Sequence, residues 1–472
     1  MKRPALYLVT IILLSALSVP GEAQQFSERR DVAIFRLNYY GAPRDPVPER
    51  STTVQLGNVF RFERTVERDT TEIFQRAVGA VDERIRSVFI NMGRFNVIGL
   101  DKRLQTENVD AFVRTLQNYR EQQVEIPETV LLGQEAFTEA DFEQIVGGFI
   151  VVIPSVSYYN VSRDDDGEYD ATIETSFTFI NVDTMQTEGQ FFIETSGSDD
   201  DAADAMKSAV DGIPLQLEFR LRELEIFRIR TGIVDVRGQE VILELGRNMG
   251  IQRGDEYAII QPRLTNLGYE TEDESGVLLI KEVREQFSIA QVLYSRPNPI
   301  IGDQLEEIPR IGIEITPYAE LFSDLEVDNS IFVLGLRATA SRGFYRFRPL
   351  GGIEIPFTST LIGLLFPMDV YIGGDANWYL GRIKVNPSIT GGLGGGVPLV
   401  DDLFGQDFYL SRVGGTAKVG LSYLVSRDTM VNVQLGYARW IGLYDRYFNS
   451  AVVRRFFDGY GGILIGAGVT FK

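Results

Sequence analysis

The stretch Gly459–Lys472 reads GYGGILIGAGVTFK and decides the fold of the C-terminal third. Side chains of an extended strand alternate between its two faces. One face of this stretch is apolar throughout: Ile463, Ile465, Ala467, Val469 and Phe471. The other face carries mainly glycine, with one leucine and one threonine. This pattern predicts the last strand of a membrane β-barrel, apolar outside and small or polar inside, although a soluble sandwich shows the same alternation.

The same alternation recurs seven more times after Pro309. The predicted strands begin near Ile311 and then cover 330–341, 344–357, 368–380, 384–399, 408–425, 429–444 and 459–472. Eight is an even number, and the segments are long enough to cross a bilayer at a tilt. Residues 309–472 are therefore predicted to form an eight-stranded antiparallel transmembrane β-barrel in the outer membrane.

Aromatic residues near the predicted strand ends fit the girdles of a membrane barrel. They are Phe322, Phe344, Phe357, Trp378, Tyr423, Trp440, Tyr444 and Phe457. Glu314, Arg337, Asp375 and Lys418 fall on the inward faces and are expected to pair there. Because an eight-stranded barrel is just wide enough to be filled by its own side chains, we expect a closed anchor and no open pore.

The apolar face of the last strand is also predicted to act as a membrane insertion signal. Its residues are Ile463, Ile465, Ala467, Val469 and Phe471, with Phe471 as the penultimate aromatic. Many such signals end on the aromatic residue itself, so the trailing Lys472 departs from the pattern.

The N-terminus predicts export. Lys2 and Arg3 precede an apolar run from Leu6 to Val19, and small residues precede a cleavage point after Ala23. Residues 1–23 are therefore predicted to be a signal peptide. This run is too short for a comfortable transmembrane helix, which favours spanning by strands.

Composition excludes several functional classes. The chain has neither cysteine nor histidine, so it lacks disulfides, thiolate sites, the commonest general base and the commonest metal ligand. From Pro309 onward 15 basic and 14 acidic residues nearly balance, so the net charge of −20 belongs to the preceding part. That acidity argues against nucleic acid as a partner. We expect no catalytic residues, no cofactor and no metal.

Residues 24–225 are predicted to be a mixed α/β (α+β) domain. The order is strand, helix, strand, two helices, three strands and a final helix with a kink near Pro214. Two acidic runs fit either a structural role or a cation-binding site. Asp164–Asp166 is expected to lie in a hairpin turn, and Asp199–Asp201 to open a helix, because acidic residues favour a helix N-terminus.

This domain resembles a periplasmic fold. The segments DVAIFRLNYYG, MGRFNVIGLD, GGFIVVIPSVSYY and TFINVDTMQTEGQFF are similar to the curli-secretion protein CsgG, the TolB N-terminal domain and the middle domain of flagellar assembly protein T. The chain departs from CsgG in lacking a lipid-anchor cysteine. The resemblance implies a periplasmic location and supplies no catalytic residues.

Residues 226–308 are predicted to be a small all-β module. Short strands separated by Gly238, Gly246, Gly250 and Gly254 suggest a small closed barrel, with the glycines in a structural role. The module resembles the C-terminal domain of flagellar assembly protein T.

The chain as a whole is predicted to be a non-enzymatic outer-membrane protein. Its barrel contacts outer-membrane lipid, and its periplasmic domains bind or scaffold an unidentified periplasmic or envelope protein. An alternative is an outer-membrane transport or secretion component in which these domains form a homo-oligomer. A barrel enzyme is a third hypothesis, weakened because the barrel enzymes known to us use histidine.

Overall fold

The structure, a computed structural model, describes most of the chain. It covers residues 27–39, 50–56, 60–66, 70–122, 129–132, 135–146, 148–164, 167–265, 268–323, 330–357, 365–398, 409–443 and 460–472. The predicted signal peptide, Tyr444 and Phe457 lie outside these ranges. Within the described ranges, no helix is long and apolar enough to cross a membrane.

The N-terminal unit contains ten strands and four helices among the described residues. They are β1 (Arg30–Arg36), β2 (Asn38–Tyr39), β3 (Arg50–Leu56), β4 (Phe60–Val66), α1 (Thr70–Asn91), β5 (Phe95–Arg103), α2 (Val109–Gln122), β6 (Val130–Leu132), β7 (Glu135–Phe137), α3 (Glu139–Val146), β8 (Ile150–Arg163), β9 (Tyr169–Asn181), β10 (Thr187–Asp199) and α4 (Ala202–Glu223). The central sheet has the order β10-β9-β8-β1-β5, and β2 extends it beside β8. Strands β1, β5 and β8 run parallel, whereas β8, β9 and β10 are antiparallel neighbours.

Two hydrophobic clusters lie on opposite faces of this sheet. The first joins α1 and α4 to the sheet through Phe89, Phe179 and Leu217. The second joins α2 and α3 to β1 and the start of β8, around Phe35, Phe112 and other aromatic side chains. The result is a layer of helices on each face of the sheet, with the second layer covering only part of it.

Local sequence explains where two of the helices begin. Thr138 and Asp141 cap α3 reciprocally, since the Asp141 carboxylate accepts from the Thr138 backbone and the Thr138 hydroxyl accepts from the Asp141 backbone. Asp201 caps α4 by accepting from the backbone N–H of Ala203. Helix α4 continues through Pro214 to Glu223. The hairpins β3–β4 and β6–β7 were not predicted.

The middle unit is a small closed barrel, as predicted, and it has six strands. Its strands are β11 (Arg230–Arg237), β12 (Glu240–Leu243), β13 (Glu256–Leu264), β14 (Glu270–Val283), β15 (Ser288–Ser295) and β16 (Gln304–Ile308), paired in the order β11-β12-β15-β14-β13-β16. A compact core fills it, with Ile233, Leu243, Tyr257 and Ile280 completely or almost completely buried.

The C-terminal unit is a closed eight-stranded antiparallel barrel, which confirms the predicted strand number, pairing and closure. Its strands are β17 (Ile313–Ser323), β18 (Ser330–Ala340), β19 (Phe347–Phe357), β20 (Leu365–Ala376), β22 (Ile383–Pro398), β23 (Tyr409–Ser426), β24 (Thr429–Gly442) and β25 (Gly461–Phe471). Each strand pairs with the next, and β17 pairs with β25 to close the barrel. The short β21 (Trp378–Leu380) extends beside the start of β22.

The last strand has the predicted faces. Ile465 is 61% exposed on the outside, whereas its neighbour Leu464 is 0% exposed inside the barrel. Two aromatic predictions are wrong: Phe322 and Trp440 are each 2% exposed and lie in the interior. Phe344, Phe357, Trp378 and Tyr423 are exposed, as expected for girdle residues.

Candidate functional site

The outer surface of the eight-stranded barrel is a continuous apolar band. Its exposed side chains include Leu334, Ile353, Ile372, Ile389, Val419, Val433, Leu435, Ile463 and Ile465. The strands also contain eleven charged residues, and Arg439 alone among these is exposed. An apolar exterior with a polar interior is typical of strands that face hydrocarbon.

The other ten charged side chains of these strands are buried inside the barrel. Five are acidic (Glu314, Glu320, Glu354, Asp369, Asp375) and five are basic (Arg337, Arg348, Lys384, Arg412, Lys418). Burying an isolated charge is expensive, so an equal number of opposite charges is what a dry interior requires.

Three ion-pair groups succeed one another along the interior. Arg348 lies 2.9 Å from both Glu314 and Asp375. Lys418 lies 2.5 Å from Glu320 and 3.5 Å from Glu354.

The third group lies toward the end of the interior that is remote from the six-stranded barrel. There Arg412 lies 2.5 Å from Asp369, which also accepts a 2.7 Å bond from the Tyr460 hydroxyl. Arg337, predicted to pair, instead lies over the Tyr318 ring at 5.8 Å, a cation–π distance.

An apolar cluster closes the interior at the end remote from the six-stranded barrel. It contains Phe322, Val333, Ala438, Trp440 and Leu464. Tyr460 stacks on Trp440 with ring centroids 5.9 Å apart. Together with the ion pairs, these side chains fill the interior of the barrel.

The two barrels are joined by a shared apolar interface. Ala258, Val277, Leu279, Leu293 and Ile308 from the six-stranded barrel pack in one cluster with Leu424 and Met430 from the eight-stranded barrel, and Tyr345 and Tyr379 pack against it. The Arg382 guanidinium also lies 4.0 Å from the centroid of the Tyr294 ring across this boundary. Both barrels therefore bury side chains at this contact.

A buried carboxylate, Glu307 of β16, joins the N-terminal unit to the six-stranded barrel. Arg94 donates two bonds to it, of 2.7 and 3.0 Å, and Arg222 of α4 donates a third, of 2.7 Å. The backbone N–H of Ile229 donates a longer bond of 3.3 Å. The side chains of Arg222 and Glu307 are 0% exposed.

Asp255 extends this network to the eight-stranded barrel. It lies 3.3 Å from Arg222 of the N-terminal unit and 2.9 Å from Arg342, which follows β18. Arg342 also pairs with Glu218 of α4. All three units therefore meet at one group of ion pairs, which we call the joint: Arg94, Glu218, Arg222, Asp255, Glu307 and Arg342.

A second group of ion pairs links the ends of the first and last barrel strands to Glu256 of the six-stranded barrel. Glu256 lies 2.9 Å from Arg310, which precedes β17, and 2.5 Å from the ammonium of Lys472, which follows β25. Arg310 also lies 2.6 Å from Asp428 in the turn between β23 and β24. Lys472, which departs from the expected insertion signal, thus connects the last strand to the six-stranded barrel, and Arg310 connects the first strand to it.

Two of the predicted structural glycines lie where the units touch. A Cβ on Gly250 would lie 1.6 Å from the carbonyl oxygen of Met92, and one on Gly254 would lie 2.1 Å from that of Ser341. Both residues also have positive φ, of 73° and 82°. Any larger residue at these positions would separate the units.

The joint sets the protonation of Glu307. Burial by itself would raise the pKa of this carboxyl group, but the guanidinium groups of Arg222 and Arg94 outweigh burial and lower the pKa to about 2. Glu307 is therefore ionised at all ordinary pH values, and its pairing contributes stability that is lost only in strong acid.

The sequence drew attention to some residues of the joint but did not predict the ion pairs between them. The turn Gly93–Val97 carries the resemblance to periplasmic proteins, and Arg94 within it reaches Glu307. Nothing in the sequence linked Arg94 to a carboxylate 213 positions away. Asp201 caps a helix, as predicted, and Asp164 accepts from the backbone of Glu168 in its turn. No group of acidic residues among the described positions could hold a metal ion.

Comparisons with known proteins yield distant similarities. No protein-family model and no curated protein matches the chain. Neisserial surface protein A is 16% identical, with a TM-score of 0.24, over 34% of this chain and 97% of that protein. Outer membrane protein H from P. aeruginosa is 15% identical, with a TM-score of 0.23, over 34% and 98%.

TolB from Acinetobacter baumannii is 8% identical, with a TM-score of 0.20, over 94% of this chain and 95% of its own. At such low identities and TM-scores, none of the three identifies a function for this chain. The resemblances to CsgG and to flagellar assembly protein T stay predictions.

Proposed function

We propose that this chain is a non-enzymatic outer-membrane protein. Its eight-stranded barrel anchors the N-terminal unit and the six-stranded barrel in the periplasm, where they bind or scaffold an envelope assembly. The observation that carries the proposal is the distribution of charge in the barrel strands, with ten charged side chains inside and Arg439 alone outside. Only a closed barrel or a helix satisfies backbone groups in hydrocarbon.

Loop lengths support the orientation. The connections on the side of the six-stranded barrel are short, as at Arg427–Asp428. The connections at the other end, 324–329, 358–364, 399–408 and 443–460, include the two longest. Outer-membrane barrels have short periplasmic turns and longer extracellular loops. The loop lengths therefore support a periplasmic position for the six-stranded barrel in our proposal.

The filled interior supports an anchor over a channel. Ion pairs occupy its length, and Phe322, Trp440 and Leu464 close one end. The joint supports a scaffold, because buried ion pairs and shared apolar side chains hold the three units in one arrangement. The absence of histidine and cysteine from the sequence supports a non-enzymatic role.

Labelling of single cysteines tests the location, because the natural chain contains none. Gln286→Cys lies on an exposed part of the six-stranded barrel. We expect a large polyethylene-glycol maleimide to modify it only after the outer membrane of intact cells is permeabilised. A cysteine-free chain is the control for background labelling. Modification on intact cells would contradict the proposed orientation.

Conductance separates the anchor from the transport alternative. The full chain, reconstituted in a planar lipid bilayer, is expected to give no steady channels because its interior is filled. Steady, unitary currents that scale with the amount of protein would instead favour a transport complex formed by oligomerisation.

A further inference from the structure

The second helical layer leaves one part of the central sheet uncovered. Helices α2 and α3 pack on β1, β5 and the first half of β8. Their cluster reaches β9 only at Ile180 and the turn after it at Val182, and it does not include β10. The later part of β8 and most of β9 and β10 therefore expose this face in the described part of the chain. We call this surface the platform and define it by Tyr158, Glu174, Phe192 and Glu194.

Alternation along each strand assigns these four residues to the open face. Tyr159, Ile173, Phe191 and Ile193 pack into the cluster beneath α1 and α4. Their neighbours along the strands point the other way. Tyr158 and Phe192 are accordingly 54% and 53% exposed, which is unusual for aromatic side chains in the middle of a strand.

Strand register brings the four side chains together. Glu174 lies directly opposite Tyr158 on β8 and directly opposite Glu194 on β10. Phe192 is two residues from Glu194 on the same face. Since neighbouring strands lie about 4.8 Å apart, the four residues form one small patch.

Within the part of the chain that the structure describes, the two carboxylates have no basic partner. Like charges directly opposite each other on a sheet are destabilising. No ion pair between described residues involves Glu174 or Glu194, although the Ser157 hydroxyl donates a 2.6 Å bond to Glu174. A cation placed between the carboxylates would relieve their repulsion.

From these observations we propose that the platform binds a basic segment of a partner protein, with a lysine or arginine side chain between Glu174 and Glu194 and against the rings of Tyr158 and Phe192. Aromatic faces attract such cations. A second copy of this chain is a poor occupant, because its net charge is −20. Nucleic acid and anionic lipid are repelled for the same reason.

This inference rests on the proposed scaffold function and names the surface and chemistry of the partner. The platform is separate from the joint, because α4, which carries Arg222, packs on the opposite face of the sheet. Variants of the platform should therefore leave the arrangement of the three units unchanged.

The test uses the full chain in lipid nanodiscs and a fluorescent decalysine peptide as the probe. We expect Glu174→Gln with Glu194→Gln to weaken binding about tenfold, since two charge contacts of roughly 0.7 kcal/mol each are lost. Tyr158→Ser with Phe192→Ser should weaken it several-fold without changing net charge. Binding of the natural chain should also fall with added salt.

The matched control is Glu83→Gln with Glu143→Gln, which removes the same charge from exposed positions on α1 and α3. It should change binding by less than about twofold. Equal weakening by both double variants, or no binding of decalysine to the natural chain, would overturn the proposal. The double variant Glu174→Gln with Glu194→Gln should not lower the unfolding temperature, so its weakened binding cannot be ascribed to misfolding. The labelling of Gln286→Cys tests the periplasmic location without involving the platform. The two experiments therefore distinguish a wrong location from a platform that does not bind basic segments.

Discussion

Replacing Arg222 by alanine is expected to lower the free energy of unfolding by about 3–5 kcal/mol. Removing one member of a buried ion-pair network leaves charge without compensation in a dry environment. Arg222 pairs with Glu307 at 2.7 Å and Asp255 at 3.3 Å, and its side chain is 0% exposed. Chemical denaturation of the full chain in detergent micelles, followed by circular dichroism, measures this change.

Arg220→Ala is the matched control on the same helix. Arg220 lies 2.9 Å from Glu223, but both side chains are about half exposed, at 50% and 41%. Exposed pairs of this kind contribute about 0–1 kcal/mol. Equal losses for the two variants would show that the buried network does not hold the units together.

Strong acid should remove the contribution that Glu307 makes to the same joint in the natural chain. Because the pKa of Glu307 is lowered from 4.5 to about 2, the unfolded chain binds a proton before the folded chain does. The stability that Glu307 contributes is therefore complete above pH 4.5 and is lost as the pH falls through 2. Arg222→Ala should reduce this acid dependence, and Arg220→Ala should leave it unchanged.

Replacing Ile465 by arginine is expected to prevent stable assembly of the barrel in a bilayer. Ile465 lies in the middle of β25 and is 61% exposed on the apolar surface. Arginine at mid-depth on the lipid face of a barrel costs about 2–4 kcal/mol. We expect little folded barrel for Ile465→Arg in liposomes, measured by resistance of the folded band to unfolding in cold SDS gels.

Ile90→Arg provides a matched control, because Ile90 on α1 is also 61% exposed. In the proposed arrangement it faces water, and arginine there should leave assembly unchanged. Comparable assembly of both variants would mean that the apolar band does not contact lipid.

The sequence was sufficient for the elements whose pattern is local. Alternation around Ile463 and Ile465 predicted the last strand and, repeated eight times, the closed barrel. The cap of α3 by Thr138 and Asp141 is also local, because this interaction spans only three residues. The glycines after Leu245 predicted a small closed barrel, because glycine turns between short strands are also a local pattern.

Other features required information that local patterns lack. Arg94 and Glu307 meet across 213 positions, and no periodicity links them. Phe322 and Trp440 were assigned to girdles because they lie near strand ends. Counting in steps of two from Glu320 and from Gln434 places both residues inside the barrel. The predicted insertion signal at Phe471 remains a prediction.

Quenching of tryptophan fluorescence by lipids brominated in the middle of their acyl chains tests the central claim most directly. The chain contains only two tryptophans, Trp378 and Trp440. Ile465→Trp in a background with both replaced by phenylalanine reports on the outer band, whereas Trp440 alone, in Trp378→Phe, reports on the interior. We predict strong quenching at position 465 and much weaker quenching of Trp440. Equal quenching of the two, or none at position 465, would contradict a barrel embedded in the membrane.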